Sequence, residues 1–527
     1  NKGDLSSISY TDGSRETLSY DATGNVTISV NRRGQDIDYT YNNLGLLLSK
    51  TFANGTQATY TYDTRGNLLS ATDSDSSMTY AYNAADRLTK VTYNSGRFLQ
   101  FTYDAGGRRT KMVDQTGATT NYIYDAAGRL SQLTNANNQN IITYTYDAVG
   151  RLSRETNGNG TYTTYTYDAA SQLTKIFNYT AGNVVNSKFE YIYDNLGRRT
   201  SVTTLQGLTT YTYDSTGQLT SVTLPNNRKI EYTYDAAGNR ISVRDSGVTT
   251  AYNTNNLNQY TTAGAATYTY DLDGNLTRKT QGGQTWNYSY DTENRLIGVV
   301  SGSDTWSYEY DALGNRIASV KNGQRTEYLL DPTGLGDVVG EYSGTGSLVA
   351  RYTHGLGLVS RSDSSSSSYY DTDAIGSVVG LSGGTGSYLN QYSYLPFGED
   401  LTKTETVSNP FEYVGQYGVM DEGNGLDFMR ARFYTPSEGR FMNPDPIGQN
   451  GGINLYRYTL NSPVGLVDPE GKNAIILLNP VVAVAAVAAV AATIFLISRI
   501  PPPSSWPSFP GGNTGGNTGG NTGGNTG

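Results

Sequence analysis

Carboxylates are the abundant groups in this chain that can do acid–base chemistry: it has 47 Asp and Glu. Its 527 residues include no cysteine and a single histidine, His354. Thiolate chemistry, disulfides and a multi-histidine metal centre are therefore excluded, and neither a cofactor nor a metal ion is expected. His354, beside Gly355, reads as a polar loop residue. Carboxylates become catalysts in pairs. Two held close cannot both ionise cheaply, so they share a proton, one acting as base on water and the other as acid. Three aspartates stand in one local frame: Asp331-Pro332-Thr333-Gly334, Asp445-Pro446-Ile447-Gly448 and Asp468-Pro469-Glu470-Gly471. Asp-Pro-x-Gly is by itself a turn signal, and Asp331 sits at an ordinary repeat-turn position. Which aspartates meet depends on the elements that carry them.

Those elements repeat. A Tyr-Asp pair followed by Gly recurs about every twenty-one residues through the first three-fifths of the chain. Tyr62-Asp63 with Gly66, Tyr103-Asp104 with Gly107, Tyr124-Asp125 with Gly128 and Tyr146-Asp147 with Gly150 set the phase. Asn42 and Asn83 hold it where Asp is absent. In Thr143-Tyr144-Thr145-Tyr146 the alternation of strand-forming residues puts both rings on one face and both threonines on the other. Asp147 then opens a turn that Gly150 closes, and Arg151-Leu152 starts the return strand. Gly150 can take positive φ and form the bulge such hairpins use. Asn294 in the glycine position fits that role; Ser171 and Asp86 fit it less well.

Each repeat is thus a β-hairpin, and the hairpins join side by side into a long, curled antiparallel sheet. Sixteen hairpins at ~10 Å each give ~150 Å of sheet, roughly one turn of a wide coil. The forty-five tyrosines suit an all-β fold, and a net charge of −9 without a basic cluster argues against a nucleic-acid partner. The chain starts Asn-Lys-Gly, mid-repeat and without an initiator Met, and reads as a fragment of a longer protein.

From Asp331 the period breaks down while the chemistry stays β and turn-like. A dense block follows, through Gly425-Leu426-Asp427-Phe428-Met429-Arg430-Ala431-Arg432-Phe433-Tyr434 and Gly439-Arg440-Phe441-Met442-Asn443-Pro444-Asp445-Pro446 to Asp468-Pro469-Glu470-Gly471. Here the chain closely resembles the RHS/YD-repeat proteins, and in particular the RHS-associated core that ends their β-shell. The resemblance covers roughly residues 10 to 471, and its most specific part is the stretch from Arg430 to Gly471. It divides the covered part into a YD-repeat shell (1–330) and an RHS-associated core (331–471), and composition adds an apolar, potentially membrane-spanning helix (472–500) and a tail (501–527).

The resemblance implies a spiralling β-sheet cocoon, or part of one, as in bacterial Rhs effectors, the C component of insecticidal toxin complexes and animal teneurins. In bacterial members the cocoon encloses a variable C-terminal polypeptide, often a toxin, and the core clips it free as an intramolecular aspartic-type protease. Carried onto this sequence, that reading places the protease on Asp445 and Asp468 with Arg440 as supporting cation. An arginine there could orient one carboxylate or keep it ionised. The family's closing motif usually ends Gly-Leu with cleavage just after. Here Lys472 follows Gly471, and the cleavage region is Gly471, Lys472 and Asn473.

Beyond Gly471 the chain holds no Asp, Glu, His or Cys, which excludes ordinary acid–base, metal-dependent or thiol catalysis in that segment. Residues 474–497 form an apolar run interrupted by Asn479-Pro480. Its stretch from Val481 to Ile497 would give ~26 Å of helix, near the lower limit for spanning a bilayer, with a helix buried in the shell as the alternative. Pro501-Pro502-Pro503 stops any helix, and a disordered Gly-Gly-Asn-Thr tail is expected after it. Three readings follow. The first is a secreted or surface-exposed shell whose partners are its own C-terminal segment as cargo and a missing N-terminal plug or secretion machinery. The second is a non-enzymatic, membrane-tethered adhesin whose Thr, Asn and Tyr face contacts carbohydrate or a cell-surface receptor. The third is a relic effector that has lost its toxin.

Overall fold

The computed structural model describes residues 4–472 and 474–476. Among them, 39 strands form one antiparallel sheet, from β1 (Ser7–Ser9) to β39 (Asp400–Thr404). Each strand pairs with its neighbours in sequence, so the sheet is a meander that never closes on itself. It runs on without a break past position 331, through β32 (Gln324–Asp331) and β33 (Asp337–Ser343).

The hairpin chemistry is uniform. β14 (Asn140–Tyr146) meets β15 (Leu152–Asn157) across a turn in which the Gly150 N–H donates to the Asp147 carbonyl at 3.0 Å. Asp147 Oδ1 accepts the N–H groups of Val149 and Arg151, and the register shifts by a bulge between Thr145 and Tyr146. Gly150 has φ +91°, and Asn294, Ser171 and Asp86 take the same left-handed region at 62°, 64° and 58°. Tyr144 is buried and Thr145 exposed, as the alternation requires.

Two links between repeats explain why this motif needs tyrosine and arginine. Tyr146 Oη donates to the Leu130 carbonyl of the preceding hairpin at 2.6 Å, and Tyr124, Tyr167 and Tyr234 do the same to Arg109, Leu152 and Leu219. The arginine after the turn glycine pairs back to its aspartate and lies over the next tyrosine: Arg129 reaches Asp125 at 2.8 Å and sits 4.2 Å from the Tyr146 ring.

The coil is tighter than the ~150 Å expectation of a single wide turn. Tyr60 Oη donates to the Ala312 carbonyl, 252 residues away, and Tyr93 Oη to Leu330, 237 away. Asn186 reaches Gly386 across 200 residues. Such spacings put ~20–24 strands, or ~100 Å of sheet, in each winding, so the 39 strands make nearly two. The seam between windings is held by ion pairs of buried and half-buried groups, including Arg109–Asp331 and Lys50–Glu293. Replacing Arg109 by Met strands Asp331 in that seam. It should cost about 3 kcal/mol, against under ~1 kcal/mol for Arg151→Met at a turn rim, read as the shift in denaturant midpoint.

The segment after β39 forms a second, small sheet of β40 (Met420–Asp421), β41 (Asp427–Met429), β42 (Arg432–Thr435) and β43 (Arg440–Phe441). Its aromatic core of Tyr413, Tyr434, Phe441 and Tyr458 is buried. β44 (Leu466–Val467) pairs with β45 (Ile475–Ile476). The expected apolar segment therefore begins, where it is described, as a strand and not as a helix. The rest of it and the expected tail lie outside the described residues. Among the described residues no helix is long and apolar enough to cross a membrane. His354 lies in β34 (Leu348–Gly355) and not in a loop, with its ring Nε2 2.9 Å from the Val338 carbonyl oxygen.

Candidate self-cleavage site

The second sheet brings two of the three Asp-Pro-x-Gly aspartates together. Asp445 Oδ2 lies 2.9 Å and Asp468 Oδ2 3.3 Å from the same atom, Nη2 of Arg432. All three side chains are buried. The third aspartate, Asp331, is elsewhere, paired with Arg109. Asp445 Oδ1 accepts the Ile447 N–H and Asp331 Oδ1 the Thr333 N–H, so both keep the turn-capping bond their motif predicts.

Arg440, expected beside this pair, is placed differently. Its Nη2 donates to the Asn258 carbonyl, and its guanidinium packs 3.9 Å from the Tyr260 ring and 4.9 Å from that of Tyr456. The cation on both carboxylates is Arg432, at the start of β42, seated 3.5 Å from the Phe441 ring.

The β41–β42 hairpin also grips the Asp468 turn. Arg430 Nη1 donates to the Pro469 carbonyl at 2.8 Å, the Ala431 N–H to that of Glu470 at 3.1 Å, and Arg432 Nε to that of Gly471 at 2.5 Å. Three successive carbonyls are thus held by three successive residues. Arg430 takes a left-handed φ of 52° to do so and is anchored on the far side by the Leu335 carbonyl and Asp337. The Lys472 N–H donates to Asp468 Oδ1 at 2.9 Å. The Gly471–Lys472 peptide therefore has its oxygen on a guanidinium and its nitrogen on a carboxylate.

A bond from Asp Oδ1 to the amide four residues on is what the Tyr-Asp turns make, as Asp147 does to Arg151. The Asp468 turn differs in the other oxygen. In the repeats Oδ2 binds the side chain four residues on, such as Arg151 or Asn67. Asp468 Oδ2 instead faces an arginine shared with a second buried aspartate.

Burial sets the charge balance. It pushes the Asp445 carboxyl up to about 6, with Asp468 adding to the rise, against the lowering effects of Arg432, the Ile447 N–H and Lys472. It also pulls the Arg432 guanidinium below its usual range, although both aspartates hold it up. A carboxylate poised near neutrality, a second one on the amide nitrogen and a guanidinium on the carbonyl oxygen are the parts that acid–base hydrolysis of a peptide requires.

Sequence reasoning missed Arg432 and Arg430. Both were present in the dense Met429-to-Phe433 block, and the signal was two arginines flanking one residue in a hairpin.

The fold and this core together define a YD-repeat β-shell: a spiral meander whose last segment folds over to grip its own chain. The chain belongs to the teneurin YD-shell family, whose model matches residues 7–198 and 173–464. It is 47% identical over 74 residues to the double-stranded DNA deaminase toxin A of Burkholderia cenocepacia, covering 14% of this chain and 5% of that protein. It is 40% identical over 79 residues to the toxin protein Tse5 of Pseudomonas aeruginosa, covering 15% and 6%. With the tRNA3(Ser)-specific nuclease WapA of Bacillus spizizenii it shares 28% over 236 residues, covering 43% and 10%. This chain thus spans a small part of the length of each of these relatives. Among solved structures, TcdB2–TccC3 superposes with a TM-score of 0.74 at 20% identity, covering 88% of this chain and 28% of that one. The Photorhabdus luminescens Tc holotoxin pore gives 0.73 at 20%, covering 89% and 27%. These likenesses establish the fold.

Proposed function

We propose that this chain is the β-shell of a secreted, toxin-type protein that encloses its own C-terminal segment and frees it by cutting the Gly471–Lys472 bond. The observation that carries this reading is the clamped peptide, with Gly471 O on Arg432 Nε and Lys472 N on Asp468 Oδ1. Asp445, ionised, takes a proton from water, and the hydroxide adds to the Gly471 carbonyl carbon. The developing oxyanion stays on Arg432, a fixed donor in a buried site. The proton taken from water passes through the carboxylate pair to the Lys472 nitrogen, and the C–N bond breaks. One water is consumed, leaving a Gly471 carboxyl and a Lys472 amine. The toxin names of the relatives and the fold of the toxin-complex shells support secretion and a C-terminal cargo.

The test is native size-exclusion of freshly purified protein followed by denaturing electrophoresis. One native peak that separates into a shell and a short fragment on denaturation is the expected result. A single uncut chain, or a fragment that leaves the shell under native conditions, would contradict cutting and enclosure respectively.

The pH dependence follows from Asp445. As the base it must be ionised, and its carboxyl titrates at about 6. Cutting should therefore be slow below that pH, rise about tenfold per unit while Asp445 is mostly protonated, and level off above it. A rate measured on protein purified in acid and shifted to higher pH checks this. A rate that falls with rising pH through that window would assign the base elsewhere.

A further inference from the structure

A cavity of about 280 Å³ opens where both windings meet the core, beside the clamped turn. Tyr80 comes from the first winding, Leu330 and Val338 from the second, and Met420 and Phe428 from the core sheet. Glu470 and Lys472, on either side of Gly471, complete the wall. The other two cations that line it, Arg316 and Arg430, are paired with Glu422 and Asp337. Glu470 is 6% exposed, and its Oε1 is buried without a hydrogen-bond partner. A buried carboxylate oxygen left unpaired is costly unless a donor reaches it. Lys472 is half-buried.

Resting on the self-cleavage reading, we propose that this cavity is the specificity pocket of the reaction, taking the side chain of residue 472. With the pocket filled, the aliphatic stem of Lys472 would lie along the apolar wall and its ammonium would reach the unpartnered Glu470 oxygen. A lysine buries its methylenes while keeping its charged end solvated or paired, which a pocket of this composition permits. Tyr80 adds an aromatic ring to the wall, which favours a cation. Burial raises the Glu470 carboxyl, while Lys472 and Arg430 act against that rise. The pocket accounts for Lys472 standing where the resemblance leads one to expect leucine: the wall accepts either stem, and Glu470 adds the reason for charge. Occupying the pocket fixes the backbone on the far side of the scissile bond, so residue 472 contributes to positioning and not only to fit.

Two measurements test this. In self-cleavage, Lys472→Glu should slow cutting about 100-fold, the scale of a ~1 Å misplacement, and Glu470→Lys with Lys472→Glu should restore most of that loss. The second readout does not depend on cutting. In the Asp445→Asn protein, acetic anhydride should label Lys472 about tenfold more slowly than the exposed Lys111, and adding Glu470→Gln should remove that protection. Labelling of Lys472 as fast as Lys111, protection indifferent to Glu470→Gln, or a Lys472→Glu protein that cuts normally would overturn the assignment. Protection with no cutting in any protein would keep Lys472 in the pocket and overturn the self-cleavage reading alone.

Discussion

Asp445→Asn and Asp468→Asn proteins are expected to remain uncut, each with the cleavage rate lowered at least about 10³-fold, within the range that removal of a general acid or base produces. The substitution keeps the backbone of the turn, because asparagine supports it. Asn42 occupies the aspartate position of a repeat, and its Oδ1 accepts the N–H groups of Leu44 and Leu46 at 2.9 and 3.0 Å. The amide oxygen introduced by Asp468→Asn would hold the Lys472 N–H in the same way, while the amide nitrogen would replace the oxygen that faces Arg432 and could carry no proton. At 445 the loss removes the base while the Ile447 N–H still finds an acceptor. Asp331→Asn is the control. It shares the Asp-Pro-x-Gly form but sits in the seam against Arg109, so it should leave cutting intact and weaken the seam. Intact mass after a timed incubation reads all three. Cutting that survives both Asp445→Asn and Asp468→Asn would remove the carboxylate mechanism.

Gly471→Ala should have an effect of comparable size through geometry alone. Gly471 has φ +66°, where L side chains are strained, and a Cβ there would lie 2.5 Å from the Met429 carbonyl oxygen and 3.0 Å from the Arg432 amide nitrogen. Those neighbours are backbone atoms of the gripping hairpin and cannot swing aside. The turn must shift, carrying the Gly471 carbonyl off Arg432 Nε. A displacement of ~1 Å costs about 10²-fold in rate, and losing an oxyanion donor costs a further ~10²-fold or more. Gly465→Ala, where an added Cβ meets nothing within 4 Å, should cut normally. A Gly471→Ala protein that cuts at the wild-type rate would show that the bond is not held as described.

The shell was legible because its information is local. Tyr-Thr alternation fixes strand and face, and Asp-x-x-Gly fixes the turn, each within a few residues of Tyr146 and Gly150. The number of windings was not, since it is decided by contacts such as Tyr60 to Ala312 that no short window contains. The paired aspartates came from family resemblance, because Asp-Pro-x-Gly reads as a turn in all three places. The arginine was misplaced for a physical reason. Arg440 lies nearer Asp445 in sequence, but β43 pairs with β42 and sends it toward Asn258 and Tyr260, while Arg432, at the other end of β42, faces the carboxylates. Proximity along the chain says nothing about the direction a strand gives a side chain. The Tyr-to-carbonyl hook and the Arg-over-Tyr stack could have been read from the recurrence of Gly-Arg after Tyr-Asp, as in Gly128-Arg129 and Gly150-Arg151.

A chain that cuts itself at the peptide gripped by Arg432 and Asp468 yields a C-terminal fragment of defined mass. The most direct test is the mass of the short fragment released on denaturing purified wild-type protein, measured beside Arg432→Met. A fragment beginning at Lys472 is expected in wild type and none in the variant. An intact wild-type chain, or a fragment of the same mass from the Arg432→Met protein, would contradict it.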